Sequence, residues 1–475
     1  MAEKKNGHAV LSSNGKTELG YSASEATDQR RLPSSRLYSS DNILSPLKRK
    51  RMIANARDLN QNFSIAAWAI RRHLDYTSDF TFQPQTGDPE LNASLANLMR
   101  WYSRPRNCDA AGRHSLSDII RLAEMRRTID GDVFMVKLSD GRLQAIEADR
   151  VRDPDRITNK SDKWVQGVRV NRAGRALSYS VSMRNDDGSY TTERSVAARN
   201  MLQLGYYDRF DQVRGITPLA PAINSLRDCY ESFDYQLAKS KISAMFGLVL
   251  TRDAVDGWGE VSGDATNGYD INLSNGKPVL LDLDPGDKAE FIESQSPSTN
   301  FQEFTKTMIS VSLKALDIPY SFYDEGYTNF FGSRSAFIHY DKSVKQKREQ
   351  IVDLLDQITA WRLSLFIADG TLRLPAGFNF NNLRWEWVAA GTPWWNPSQE
   401  INADIAAINA GLKTRAQVIR EHQGREFTEV INQLADEEAY IKAQQVGVVL
   451  QPPNPLPGET PERVEGVEVE EEITE

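Results

Sequence analysis

Asp282, Asp284 and Asp287, within LLDLDPGDK, come closest in type and spacing to a divalent-metal site. Such a site needs two or three carboxylate oxygens converging on one ion, as in a metal-dependent nuclease. Strand alternation instead turns Asp282 and Asp284 outward, and Pro285-Gly286 reverses the chain, so a solvated hairpin is expected. Gly411-Leu412-Lys413-Thr414 ends like a phosphate-cradling loop but lacks the upstream glycine and the preceding strand of GxxxxGK[ST]. The five histidines (His8, His73, His114, His339 and His422) show no HExxH or paired spacing. Cys108 and Cys229 form neither a metal pair nor a nucleophile motif, and no serine stands in GxSxG. These residues point to no catalytic group, no metal and no cofactor.

Composition excludes further classes. The chain has 475 residues, 40% hydrophobic and 26% charged, enough for two or three folded domains. No apolar run approaches the ~18 residues a membrane helix needs, and the N-terminal residues lack a signal-peptide core. With two unpaired-looking cysteines, the expected setting is the cytoplasm. The net charge is −8, but Glu459 to Glu475 holds eight glutamates and one arginine, a charge of −7. About −1 remains on the rest, so there is no electrostatic basis for tight, general DNA binding.

The elements that would position any site form an α+β chain. Residues 1–53 read as a disordered arm with a basic cluster, LKRKRM, at its end. Residues 54–216 read as one α+β domain. It has a helix from Ala54 to Tyr76, another after Pro89 and a third capped by Ser115 and Asp118. Strands follow Gly131: VFMVKL turned at Ser139-Asp140-Gly141, WVQGVRV turned at Arg172-Ala173-Gly174, and ALSYSVSM closed at Asn185 to Gly188. Thr217-Pro218 signals the cap of a long helix (217–246), followed by a Gly- and Asp-rich insert (247–299) and a second helix (300–319). The two helices are expected side by side, with the insert at their far end. Residues 320–333 form an aromatic loop. In residues 334–395 a stripe of Val344, Ile351, Ile358 and Leu365 marks a long helix packed on its own protein. Residues 396–446 are helical, punctuated by Asn396-Pro397, Gly411, Thr414 with Gln417, and Gly424. Residues 447–475 form an acidic, disordered tail.

Four segments in order resemble the lambda-type portal protein family of tailed bacteriophages. They are ARDLNQNFSIAAWAIRRHLD, MRRTIDGDVFMVKLSDGRLQAIEADRV, RFDQVRGITPLAPAINSLRDCYESFDYQLAKSK, and the passage from WEWVAAGTPWWNPSQE to VINQLADE. The third carries the most specific signature, in Gln212, Arg214, Gly215, Pro218 and Pro221. Asn396 stands where many members have Asp before the proline, and either residue caps a helix.

The resemblance implies a ring of identical subunits, usually twelve, at one capsid vertex, through which double-stranded DNA passes without sequence specificity. It implies a wing (54–216), two stem helices (217–246 and 300–319), a clip (247–299), a tunnel loop (320–333) and a crown (396–446). Tyr327, Thr328, Asn329, Phe330 and Phe331 would then face the channel. The basic stripe Lys342, Lys345 and Arg348 just after the loop reads either as channel-facing or as a plain solvated helix face. The implied partners are the terminase motor, the major capsid and scaffolding proteins and a head-completion or tail adaptor, with no membrane. The implied locations are the virion vertex and, during assembly, the host cytoplasm. Two other functions compete: a metal-dependent DNA-processing enzyme resting on the Asp282–Asp287 cluster, and a head-tail adaptor without a channel. The order long helix, insert, long helix, aromatic loop speaks against the adaptor.

Overall fold

Proline at a first helical position arrives with its φ already set, and Pro46 opens the first long helix in this way. The computed structural model describes residues 38–155, 163–245, 248–252, 287–291, 299–324, 330–375, 377–391 and 397–443. It also describes two two-residue strands, β1 (Val10–Leu11) and β2 (Thr17–Glu18). The architecture is α+β, in two compact units: Met1–Asp79 with Ala93–Phe380, and Phe80–Asn92 with Asn381–Glu475.

In the first unit a short α1 (Ser40–Ile43) leads into α2 (Pro46–Asn62). Residues 46–53, expected in an unstructured arm, are therefore helical. Arg49 of LKRKRM is buried because its guanidinium reaches Asp132, 3.0 Å away. The single helix expected from Ala54 to Tyr76 is also two. Phe63 leaves the helical backbone (φ −113°, ψ 107°), sinks its ring into the core against Tyr230, and α3 (Ser64–Thr77) begins at once.

After β3 (Phe80–Pro84), which belongs to the second unit, come α4 (Pro89–Tyr102), α5 (Pro105–Cys108) and α6 (Leu116–Asp130). Ser115 and Asp118 make the expected capping box. Gly131, at φ +98°, ends α6 and launches β4 (Asp132–Lys137), which pairs with β5 (Leu143–Glu147). Next is an antiparallel meander of β6 (Lys163–Val165), β7 (Val168–Val170), β8 (Ala176–Arg184) and β9 (Tyr190–Ala197). WVQGVRV, expected as one strand, is itself a hairpin. Gln166 and Gly167 both take positive φ, the geometry that matches the twist of a two-residue turn. Finally β10 (Met201–Gly205) pairs on the other side of β4. Phe134, Ile146, Val168, Tyr179 and Val181 share one core between the two sheets.

The next long helix, α7 (Ile223–Met245), starts five residues later than Pro218. Thr217 spends its hydroxyl elsewhere: it donates to the Thr128 carbonyl at 2.6 Å and accepts from the Leu219 amide at 3.1 Å, holding a turn. At the far end of α7, β11 (Leu248–Arg252) pairs antiparallel with β12 (Asp287–Phe291) and leads to α8 (Thr299–Leu313). Leu226 and Cys229 of α7 share a core with Ile309 and Leu313 of α8, and Phe233 meets Phe301 edge-on at 6.2 Å. The helices therefore run antiparallel, side by side as expected. α8 tightens into a 3-10 turn, Lys314–Leu316, and stops at left-handed Asp317, short of the expected residue 319. Asp282 and Asp284 lie outside the described residues.

The last helix of this unit, α9 (Phe330–Ala368), has 39 residues, about 58 Å at 1.5 Å per residue. Val344, Ile351 and Ile358 are wholly buried, so the heptad stripe is an ordinary packed face of its own protein.

In the second unit β13 (Trp385–Ala389) pairs antiparallel with β3, bringing Trp387 onto Phe82. Three helices follow: α10 (Pro397–Asn409), α11 (Arg415–Gln423) and α12 (Phe427–Ala443). Thr414 and Gln417 form the expected box, and Gly424 ends α11 in the left-handed region. Asn396 and the tail, 447–475, lie outside the described residues.

Candidate functional site

The signature residues converge on the first residue of β4. Arg214, wholly buried, donates through Nε and Nη2 to both oxygens of Asp132 at 2.7 and 3.0 Å. Its remaining N–H groups reach the carbonyls of Val151, Gln166 and Ala148 at 2.9, 2.5 and 2.9 Å. All five guanidinium donors fan out in one plane, which only arginine can supply. Arg49 from α2 and the Gly215 amide complete the shell of Asp132. Burial alone would raise the Asp132 carboxyl; Arg214 and Arg49 outweigh it and hold it below the ordinary range.

The glycine of the signature is steric. A Cβ on Gly215 would lie 2.2 Å from the Gly131 carbonyl oxygen, and one on Gly131 would lie 2.7 Å from that of Gly215. Two backbones cross where no side chain fits. Gln212 folds the preceding loop, its side-chain oxygen accepting from the amides of Asp208 and Arg209 at 2.5 and 2.8 Å. Pro218 and Pro221 lie in the turn that leads into α7. These residues build the scaffold and present no reactive atom to solvent.

A second buried cluster joins α3, α6, α9 and the end of β10. Tyr340 donates to His73 Nδ1 at 3.3 Å, and His73 Nε2 donates to Glu124 at 3.2 Å. Tyr206 adds a bond to Glu124 at 2.9 Å, and Arg127 pairs with Glu124 at 2.7 Å while donating to Gln350 at 2.7 Å. Burial would raise Glu124, yet Arg127 and His73 bring its carboxyl down to about 2. Burial holds the His73 imidazole below its ordinary value, so it is neutral at pH 7. Sequence spacing gave no hint of this cluster, because its members, from His73 to Gln350, are scattered over 277 positions and meet only in the fold.

The residues singled out as reactive have structural duties. Cys108 is buried, its thiol pushed up to about 12 by burial, which makes it a poor nucleophile. Lys413 of the GLKT stretch ties Asp404 of α10 to Glu421 of α11. Among the described residues no three His, Cys, Asp or Glu side chains are placed to hold a metal ion. No described helix is long and apolar enough to cross a membrane.

Of the expected channel residues, Tyr327, Thr328 and Asn329 lie outside the described residues. Phe330 and Phe331 form the first turn of α9, so the loop closes into helix three residues before Ser333. Lys342 and Lys345 are exposed on α9, while Arg348 is turned inward, donating to the Tyr76 carbonyl at 2.7 Å. The three therefore do not share one solvent face. On the antiparallel pair α7 and α8, Leu237, Phe304 and Val311 are each more than half exposed, and Phe233 lies with Leu237 in a groove against Phe301.

A long helix pair with an unfilled apolar face, docked on a rigid α+β body, defines a structural assembly protein. The family model for phage portal proteins of the lambda family matches residues 30–348, more than half of the sequence, and the chain belongs to that family. It is a portal protein, forming a channel at one vertex of the capsid. No curated protein sequence matches it. Among solved structures it is similar to a chain in the neck of an empty gene transfer agent particle computed with C6 symmetry. Identity there is 14%, the TM-score is 0.45, and 78% of this chain and 92% of that chain are covered. A chain in the neck of the native particle computed with C12 symmetry gives 12% identity, a TM-score of 0.47, and coverage of 78% and 93%. One in the virion of the native particle gives 14%, 0.45, and coverage of 80% and 99%.

Proposed function

We propose that twelve copies of this chain form a closed ring whose bore conducts double-stranded DNA during packaging, retention and ejection. The observation that carries the ring is that α7 and α8 leave large apolar side chains, Leu237, Phe304 and Val311, in water in a single copy. A cyclic assembly repeats one such contact around an axis and removes it from solvent on every copy. The near-neutral charge outside the acidic tail supports a conduit that grips DNA weakly, since many phosphate contacts would stall passage.

Within that ring, residues 54–216 act as wing, α7 and α8 as stem, the segment between them as clip, and residues 396–446 as crown. The loop 320–333, with Tyr327, Thr328, Asn329, Phe330 and Phe331, lines the narrowest part. Lys342 and Lys345 are the exposed cations behind it, and Arg348 works as a brace to Tyr76. The chain catalyses no reaction. It is assembled in the host cytoplasm and docks a terminase motor, the capsid and scaffolding proteins and a head-completion or tail adaptor. Native mass spectrometry with negative-stain images of the purified protein tests the ring. Twelve-fold rings with a central hole are expected, and a protein that stays monomeric at high concentration overturns the proposal.

A further inference from the structure

Phe210 stands in the loop that follows β10, and at 113% exposure its phenyl group lies wholly in water in a single copy. The loop that carries it is tied down on both sides. The Tyr206 amide donates to the Gly131 carbonyl, and the Ile216 amide to the Tyr206 carbonyl, both at 3.0 Å. Gln203 donates to the Val213 carbonyl at 3.0 Å, and the Val213 amide donates to Asp41 at 3.2 Å. Arg209 donates to the Tyr38 carbonyl at 3.2 Å, and Gln212 braces the loop from within. Tyr207 in the loop and Tyr38, to which it is tied, are exposed as well. A phenylalanine held out in this way adds no burial to its own fold. Because its backbone is already fixed, it would dock with little further loss of freedom.

The same compact unit carries a recess of matching chemistry. A groove of about 470 Å³ runs between α7 and α8, lined by Phe233 and Leu237 from one helix and Phe301 and Ile309 from the other. Leu237 is more than half exposed there, so the groove is open to an incoming side chain. Charge agrees at the margins. The exposed Lys239 and Lys241 flank Ser240 of the groove, whereas Asp208 and Asp211 flank Phe210. Since Phe210 is in water on a braced loop, it does not fill the groove of its own copy. A projection and a recess set apart on one rigid unit meet only between copies, head to tail. Contacts of that kind repeat into a ring when the rotation closes. An unrelated protein seated on Phe210 would leave the groove unexplained.

We propose that Phe210 of each copy seats in the α7–α8 groove of the next copy and anchors the contact between neighbours. The inference rests on the ring proposed above and names the residues that hold it together. The phenyl group packs among Phe233, Leu237 and Phe301, while Asp208 and Asp211 meet Lys239 and Lys241 at the margin. The contact has a direction: each copy gives one phenylalanine and receives one.

The test uses the full-length chain. Phe210→Ser removes a side chain that the fold does not use, so its melting curve should match that of the wild type. By native mass spectrometry its rings should need at least about tenfold more protein to assemble. A lowered melting temperature, or rings at the wild-type concentration, overturns the proposal. Asp208→Cys with Lys239→Cys leaves Phe210 and the groove intact and places one thiol on each side of the contact. A short bismaleimide should then join copies into a ladder that runs beyond the dimer on a denaturing gel. Neither single variant should give one, since Cys108 and Cys229 are buried. A ladder from a single variant, none from the pair, or a product that stops at the dimer overturns the proposal. If the wild type forms rings, any of these failures removes this contact alone. A wild type that stays monomeric removes the ring and the contact together.

Discussion

The body around β4 and the helix pair α7–α8 handle unfavourable surface in opposite ways. Around Asp132 the buried carboxylate is answered inside one copy by Arg214, Arg49 and the Gly215 amide, and the remaining donors of Arg214 by three backbone carbonyls. On α7 and α8 the large apolar side chains Leu237, Phe304 and Val311 stay in water. The first region is complete in a single chain, and the second is complete only with neighbours. Stability and assembly should therefore be separable by mutation.

The largest effect should come from opening the body. Arg214→Ala leaves the buried Asp132 carboxylate with Arg49 and the Gly215 amide alone, and loss of one partner from a buried pair costs about 3 to 5 kcal/mol. Chemical denaturation should show a drop of that size. A change below about 1 kcal/mol would mean that Asp132 is answered some other way.

A smaller effect, set by pH, should appear at the second cluster. His73 titrates lower in the fold than its ordinary 6.5, so below that pH the unfolded chain takes up the proton first and stability falls. Glu124 acts with the same sign: its folded value of about 2 lies below the usual 4.5, so its contribution is complete above pH 4.5 and is lost as pH falls toward 2. Between pH 6.5 and 5 the wild-type protein should lose up to about 1.4 kcal/mol per pH unit relative to His73→Asn. Parallel melting-temperature profiles of the two proteins would remove His73 from this role.

The smallest effect on stability should come from the helix pair. Phe304→Ser with Val311→Ser changes two side chains that are each more than half exposed, so the stability of the isolated chain should move by about 0.5 kcal/mol per site or less. Ring formation, read by native mass spectrometry, should be lost. Intact rings from this double variant would place the contact between copies elsewhere.

Local rules were legible in the sequence wherever the physics is local. The Ser115 and Thr414 caps, the stop at Gly424, the strands after Gly131 and the buried stripe of α9 follow from hydrogen-bonding side chains, positive φ and periodicity over a few residues. The residues of the family signature were legible too, but not their purpose. Gln212, Arg214 and Gly215 were visible as a pattern, whereas their partners Asp132 and Gly131 lie about 80 positions away.

Errors arose where a distant contact overruled a local tendency. The LKRKRM cluster read as a solvated arm, because charge favours water unless a buried partner exists, and Asp132 is that partner for Arg49. A continuous helical period hid the break at Phe63, whose ring is drawn into the core beside Tyr230. By itself, then, the sequence determined the α+β order of elements, the caps at Ser115 and Thr414 and the family. Only the tertiary structure decided which charges are buried, where helices break and which apolar faces stay open, because desolvation and packing depend on residues that meet across the chain.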